Sequence, residues 1–238
     1  MRFHFLGTSH GYPEANKRCS CTLLEIGERY YFLDMGVMAI EDLINKGIPV
    51  DAVEAIFISH PHGDHLNGLV GFADHCSWLY KTADPLVHLP KIEHSHLINE
   101  WIQLNLSKWR SLRYVQIEPG VIFDDGVLKV TAIPTKHCEK SYAFLLEAEG
   151  KTILFTGDLK NPGVDFPEIA KERELDLLIC EDAHFPATDY EPVLAQCRVK
   201  KICIHHYMTK RIPSILEFIQ HMAPLPITMM GDGMEVTV

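Results

Sequence analysis

The sequence predicts an α/β fold, and three observations carry that prediction. Short β-rich apolar runs alternate with segments whose apolar residues recur at helical spacing along the whole chain. The 238 residues are 47% hydrophobic, ample for one large core. The run Ala-Ile-Phe-Ile at 55–58 reads as a buried strand that opens directly into a cluster of polar, chemistry-bearing side chains. The carboxyl ends of strands are where α/β folds place their chemistry.

Taken in order, residues 2–6, 21–26 and 29–34 read as the first strands, with Gly27-Glu28 as a hairpin turn. Val37, Ile40, Leu43 and Ile44 follow helical spacing and stop at Gly47, with Pro49 just beyond. After the strand at 55–58, Leu66 to about Tyr80 reads as a helix with Leu66, Leu69, Val70 and Trp78 as packing candidates and His75 as a structural histidine. Residues 91–107 carry Leu97, Ile98, Trp101, Ile102 and Leu104 in one stripe. This predicts an amphipathic helix between the two halves of the fold, as core, lid or dimer surface, with His94 and His96 exposed near its start. Further strands are expected near 121–123, 127–133, 142–148, 151–156, 176–180 and 201–204. With no linker and no low-complexity stretch, the chain reads as a single domain over 1–238.

Residues 59–65, Ser-His-Pro-His-Gly-Asp-His, bring His60, His62, Asp64 and His65 within six positions. Imidazole and carboxylate suit zinc, manganese or iron, and His60 and His62 can face one ion while Asp64 and His65 face another. The alternative is a turn of surface histidines around Gly63. It gives no reason for four ligand types bunched after an apolar strand.

The arrangement His-x-His-x-Asp-His resembles the metallo-β-lactamase superfamily, and five further segments carry the resemblance in order. Phe5-Leu6-Gly7-Thr8-Ser9 is similar to the opening of the ribonuclease Z and phosphodiesterase branch. Tyr31–Gly36 resembles the strand that ends in Asp-x-Gly; Pro134–His137, Leu154–Asp158 and Ile202–His206 resemble the later motifs. The resemblance covers nearly the whole chain. It implies a four-layer αββα sandwich of two mixed β-sheets with metals at one edge.

The resemblance also implies a ligand set. One ion would take His60, His62 and His137, the other Asp64, His65 and a terminal histidine, with Asp158 bridging and a water or hydroxide shared between them as nucleophile. Two divalent ions are expected, zinc first, with manganese or iron as alternatives. His206 aligns with the last ligand position ahead of His205, and Asp34 is expected to support the site by taking a ligand imidazole's second N–H. Asp64 is implied as both ligand and orienting base. His62 stands where diiron oxygen-reducing relatives carry glutamate, which argues against redox chemistry. Cys180-Glu181-Asp182-Ala183-His184 partly matches the His-Glu-Ala-Thr segment of ribonuclease Z, so Glu181 and His184 are candidate proton donors to the leaving group, a structural role being the alternative.

Charge bears on the substrate. With 22 basic and 32 acidic residues the formal net charge is −10, which argues against broad electrostatic capture of nucleic acid. Lys108, Arg110 and Arg113 around Trp109 are the one basic cluster, a solvated helix end or a substrate clamp. The expected partner is therefore a small anionic substrate, a small or cyclic phosphodiester, with a homodimer left open. Alternatives are a lactone or thioester hydrolase on the same scaffold and a ribonuclease Z-type tRNA 3′ endonuclease, for which a basic Gly/Pro-rich arm is missing. A non-enzymatic binding protein would be expected to have lost ligands, and none is lost. No apolar run approaches the ~20 residues of a membrane span and the first residues begin a strand, so a cytoplasmic protein is expected. Seven scattered cysteines fit reduced thiols, and Cys19 with Cys21 is the one close pair, too few for a structural zinc.

Overall fold

The computed structural model describes residues 1–106 and 108–238. Side-chain alternation along the strands sets the number of layers. In the strand Leu177–Glu181, Leu177 and Ile179 enter one buried apolar cluster while Leu178 and Cys180 enter another. In Arg29–Met35, Tyr31 and Leu33 join the first of these and Phe32 joins a third. Strands buried on both faces need cover on both. Two sheets with an apolar cluster between them and another on each outer face make four layers, as expected for an αββα sandwich.

The strands are β1 (Arg2–Gly7), β2 (Cys21–Ile26), β3 (Arg29–Met35), β4 (Val53–Phe57), β5 (Leu86–Leu89), β6 (Arg113–Gln116), β7 (Gly120–Asp124) and β8 (Lys129–Pro134). They continue with β9 (Tyr142–Ala148), β10 (Lys151–Phe155), β11 (Glu174–Leu175), β12 (Leu177–Glu181), β13 (Arg198–Val199), β14 (Ile202–His205), β15 (Ile227–Met229) and β16 (Glu235–Thr237). The helices are α1 (Ile40–Asn45), α2 (Gly63–Trp78), α3 (Glu93–Asn105), α4 (Pro162–Asp165), α5 (Ile169–Glu172), α6 (Glu191–Leu194) and α7 (Ile212–His221). One sheet runs β16-β1-β2-β3-β4-β5-β6 and the other β15-β14-β12-β10-β9-β8-β7, with β11 and β13 as a separate pair. Both follow one plan. Antiparallel links join β16 through β3 and β7 through β10, and parallel links then add β4, β5 and β6 to one sheet and β12, β14 and β15 to the other.

Helices α2 and α3 cover the first sheet through Leu66, Leu69, Phe72, Ile98 and Ile102, and α7 covers the second through Ile215 and Phe218. Helix α3 therefore lies on the outer face, not between the halves. Only Ile98 and Ile102 of its expected stripe are buried; Leu97, Trp101 and Leu104 are exposed. Trp78, expected to pack, is exposed at the end of α2. Six strands went unforeseen: β5, β6, β11, β13, β15 and β16 have two to four residues each, too short for alternation to show. Among the described residues no helix is long and apolar enough to cross a membrane.

Candidate metal centre

The parallel strands of both sheets aim their carboxyl ends at one edge, and the polar residues gather there. His60 and His62 lie on the loop after β4, and Asp64 and His65 fall in the first turn of α2, which begins inside the motif at Gly63. His137 sits between β8 and β9, Asp158 follows β10, Glu181 ends β12, and His206 follows β14. Three of these corners use left-handed backbone. Asp34, Gly157 and His206 have φ of 58°, 54° and 51°. At Gly157 a Cβ would fall 2.9 Å from both the Ser59 Cβ and the Tyr142 carbonyl oxygen, so only glycine lets Asp158 turn inward.

His62 Nδ1 lies 3.1 Å from His60 Nε2 and 3.0 Å from His137 Nε2. Three imidazole nitrogens converge on one point. Ser59 Oγ, 3.0 Å from Nδ1 of His60, fixes that ring from behind. A second group, Asp64, His65 and His206, lies alongside. His65 Nδ1 meets Asp34 Oδ2 at 2.7 Å, and Asp34 also accepts from the Ser59 amide and hydroxyl, so the supporting role expected for Asp34 has a visible geometry. His206 gives Nδ1 to the Ser9 carbonyl at 3.1 Å, which turns its Nε2 to within 3.8 Å of Asp64 and 3.4 Å of Asp158. His205 goes elsewhere. It packs between the rings of Phe5 and Phe155 in the inter-sheet core, both ring nitrogens unpaired.

Asp158 Oδ2 stands between the two groups, 3.5 Å from Nε2 of both His60 and His65, and 3.7 Å from that of His137. The site fits a divalent cation on its own observations. Nε2 of His65 and Oδ1 of Asp158 are buried without hydrogen-bond partners, and the donor set is imidazole and carboxylate. Burial pushes His60 far below the ordinary imidazole range and His137 down to about 4, so both rings stay unprotonated, the state in which they can bind metal. Burial acts against the ionised form of Asp158, yet the surrounding histidines hold its carboxyl well below the usual range. His65 is raised despite its burial by Asp158 and Asp34, so two buried carboxylates call for positive charge at this point.

Glu181 and His184 take distinct places. Glu181 is fully buried, accepting from the amides of Leu159, Ala183 and His184 and meeting His184 Nδ1 at 2.7 Å. Burial, and then the charge of Asp158, raise its carboxyl. His184 is exposed at the cavity, its ring 4.5 Å from that of His137. The cavity holds about 350 Å³ and is walled by Asp64, Asp158, His184, His206, Tyr12 and Met208. His10 also lines it and drew no notice in the sequence, because it lies outside every ligand-like motif; the Thr8-Ser9 opening beside it was the available signal.

The two arginines of the basic cluster are tied down. Arg110 pairs with Asp84 at 3.1 Å and with the Ala83 carbonyl, Arg113 pairs with Asp84 at 2.8 Å, and Trp109 packs on the first sheet's outer core. His75 bonds the Gly71 carbonyl within α2. Among the described residues no group of candidate ligands includes Cys19 or Cys21.

The profile of the Anti-Pycsar protein Apyc1 family matches residues 1–210, a span that holds every candidate ligand. The chain belongs to the Apyc1 family. This Apyc1-family chain is 32% identical over 160 residues to ribonuclease BN of Escherichia coli O1:K1 / APEC, a match covering 63% of the chain and 51% of that protein. It thus spans about half the length of the curated relatives it matches. The short form of human tRNase Z has the same fold, with a TM-score of 0.77 at 19% identity over 100% of this chain and 99% of that one. YhfI from Bacillus subtilis, a metallo-β-lactamase fold protein, gives 0.77 at 16% identity over 99% and 98%. The Apyc1-family chain therefore has the metallo-β-lactamase fold.

Proposed function

We propose that this chain is a hydrolase that holds two divalent metal ions and cleaves small, including cyclic, phosphodiesters. The observation that carries the reading is the single Asp158 oxygen lying 3.4–3.7 Å from ring nitrogens of both ligand groups. His60, His62 and His137 would hold one ion and Asp64, His65 and His206 the other, with Asp158 shared; zinc suits this set, and manganese or iron fit it too. Bound there, the ions would lower the pKa of water toward neutrality and supply positive charge facing the phosphoryl group. Asp64 orients the attacking water by accepting its hydrogen bond. Glu181, saturated by amides, positions His184, and His184 presents its other nitrogen to give a proton to the departing alkoxide.

The size of the substrate follows from charge and space. Kinship with ribonuclease BN raises the tRNA endonuclease reading, but a net charge of −10 opposes a long polyanion, and Arg110 and Arg113 are spent on Asp84. A cavity of about 350 Å³ suits a small diester. The test is steady-state kinetics of the metal-loaded protein on bis(p-nitrophenyl) phosphate, p-nitrophenyl phosphate, a thioester and a lactone, beside a gel assay on 3′-extended tRNA. Diesters should turn over fastest and tRNA poorly. Asp64→Ala should cut the rate more than about tenfold, over ~1.4 kcal/mol of barrier, with the thermal melt of the metal-free protein nearly unchanged. Efficient tRNA cleavage would make the chain a nuclease, and a preference for thioester or lactone would discard the phosphodiester.

A further inference from the structure

The turn after β1 runs directly past the second ligand group. Its Ser9 carbonyl bonds His206, and Gly11 lies so close to Asp64 that a Cβ there would sit 3.0 Å from Oδ2. Between them, His10 is buried and lines the cavity together with Asp64, His184 and His206. The Tyr12 backbone N–H donates to His10 Nδ1 at 3.1 Å. A ring nitrogen that accepts this bond carries no proton, so the N–H of neutral His10 sits on Nε2. That Nε2 is buried without a hydrogen-bond partner. Glu14 Oε2 stays 3.5 Å from it, held by the Thr209 amide at 3.0 Å and hydroxyl at 2.9 Å.

A buried donor without a good acceptor is costly, so one kept beside a substrate cavity calls for an acceptor that arrives with the ligand. Among the described residues His10 belongs to none of the groups whose ligand atoms are close enough to share an ion.

We propose that His10 is a substrate-contacting residue that donates from Nε2 to a phosphate-ester oxygen the metal ions do not hold. The proposal rests on the phosphodiesterase reading above and extends it to the turn carrying Gly11 and Tyr12. Glu14, engaged by Thr209, keeps this turn against the segment after His206 and holds its carboxylate 3.5 Å from the donor, too long for a good hydrogen bond.

His10→Phe and His10→Gln, with the wild type, test it through hydrolysis of bis(p-nitrophenyl) phosphate, calorimetric binding of inorganic phosphate, metal content and thermal melting. His10→Phe should lower kcat/KM and phosphate affinity by about tenfold or more while metal content stays full, the loss expected for one hydrogen bond to a charged acceptor. His10→Gln, whose side-chain amide places an N–H near the Nε2 position, should recover most of it. The proposal is overturned if His10→Phe stays within about twofold of wild type in both readouts. It is overturned equally if metal content falls in step with rate, or if His10→Phe and Glu14→Gln lower the melt alike and nothing else. If the wild type hydrolyses no diester, the phosphodiesterase reading fails by itself, and phosphate affinity still decides the role of His10.

Discussion

One backbone torsion separates two adjacent histidines into different chemistries. Alternation along β14 sends His205 toward Cys203 in the inter-sheet core, and the left-handed turn at the next residue swings His206 to the Ser9 carbonyl and the ligand group. His206→Ala should lose about one equivalent of metal and His205→Ala none, read by elemental analysis of protein purified without chelator; the reverse pattern would exchange their roles. His88 gives a pH test away from the site. Stacked on Phe57 and fully buried with both nitrogens unpaired, it is pushed down by burial to about 4 from 6.5. Between those values the unfolded chain takes up a proton that the folded chain refuses, so stability falls as pH drops through 6.5 and levels off near 4, by up to ~3 kcal/mol. His88→Phe should flatten this part of the stability profile, and an unchanged acid slope in denaturant melts would rule the assignment out. Residue types and spacing made His60, His62, Asp64 and His65 legible. Nothing in them showed that Ser59, the Ser9 carbonyl and His10 stand behind or beside the ligands, because those roles belong to contacts between distant segments.

At the scale of elements, legibility followed length. The hairpin of β2 and β3 and the strands β9 and β10 were readable because six or seven residues of alternation, or an unbroken apolar run, exceed what chance supplies. The stripe of α3 misled because apolar spacing says which residues share a face, while the sheet decides how much of that face it covers. The last strands could not be read, yet they close both sheets, β16 on β1 and β15 on β14. Between them Asp232 accepts from the Thr8 amide at 2.8 Å and hydroxyl at 2.7 Å and from the Arg18 amide at 2.9 Å, tying both ends of the β1–β2 connection that passes the site. Asp232→Ala should cost about 2 kcal/mol or more and lower the melting temperature by several degrees, with Asp232→Asn between it and wild type. An unchanged melt would show that the connection is held by other contacts.

The whole molecule divides its candidate ligands between its halves. His60, His62, Asp64 and His65 ride on the sheet that contains β4, and His137, Asp158 and His206 on the sheet that contains β9, β10 and β14. Neither sheet alone carries a complete set for either ion on the reading above, since His137 completes the first group and His206 the second. An ion bound there is a clamp across the inter-sheet core, and its chemical potential becomes a variable of folding. Each tenfold rise in free metal beyond the dissociation constant should add ~1.4 kcal/mol of resistance to unfolding per ion, so the melting temperature should climb with the logarithm of metal concentration. Differential scanning across a buffered zinc series measures that slope. A melt indifferent to metal would mean that the two halves dock without the ions, and that the ligands are brought together by packing alone.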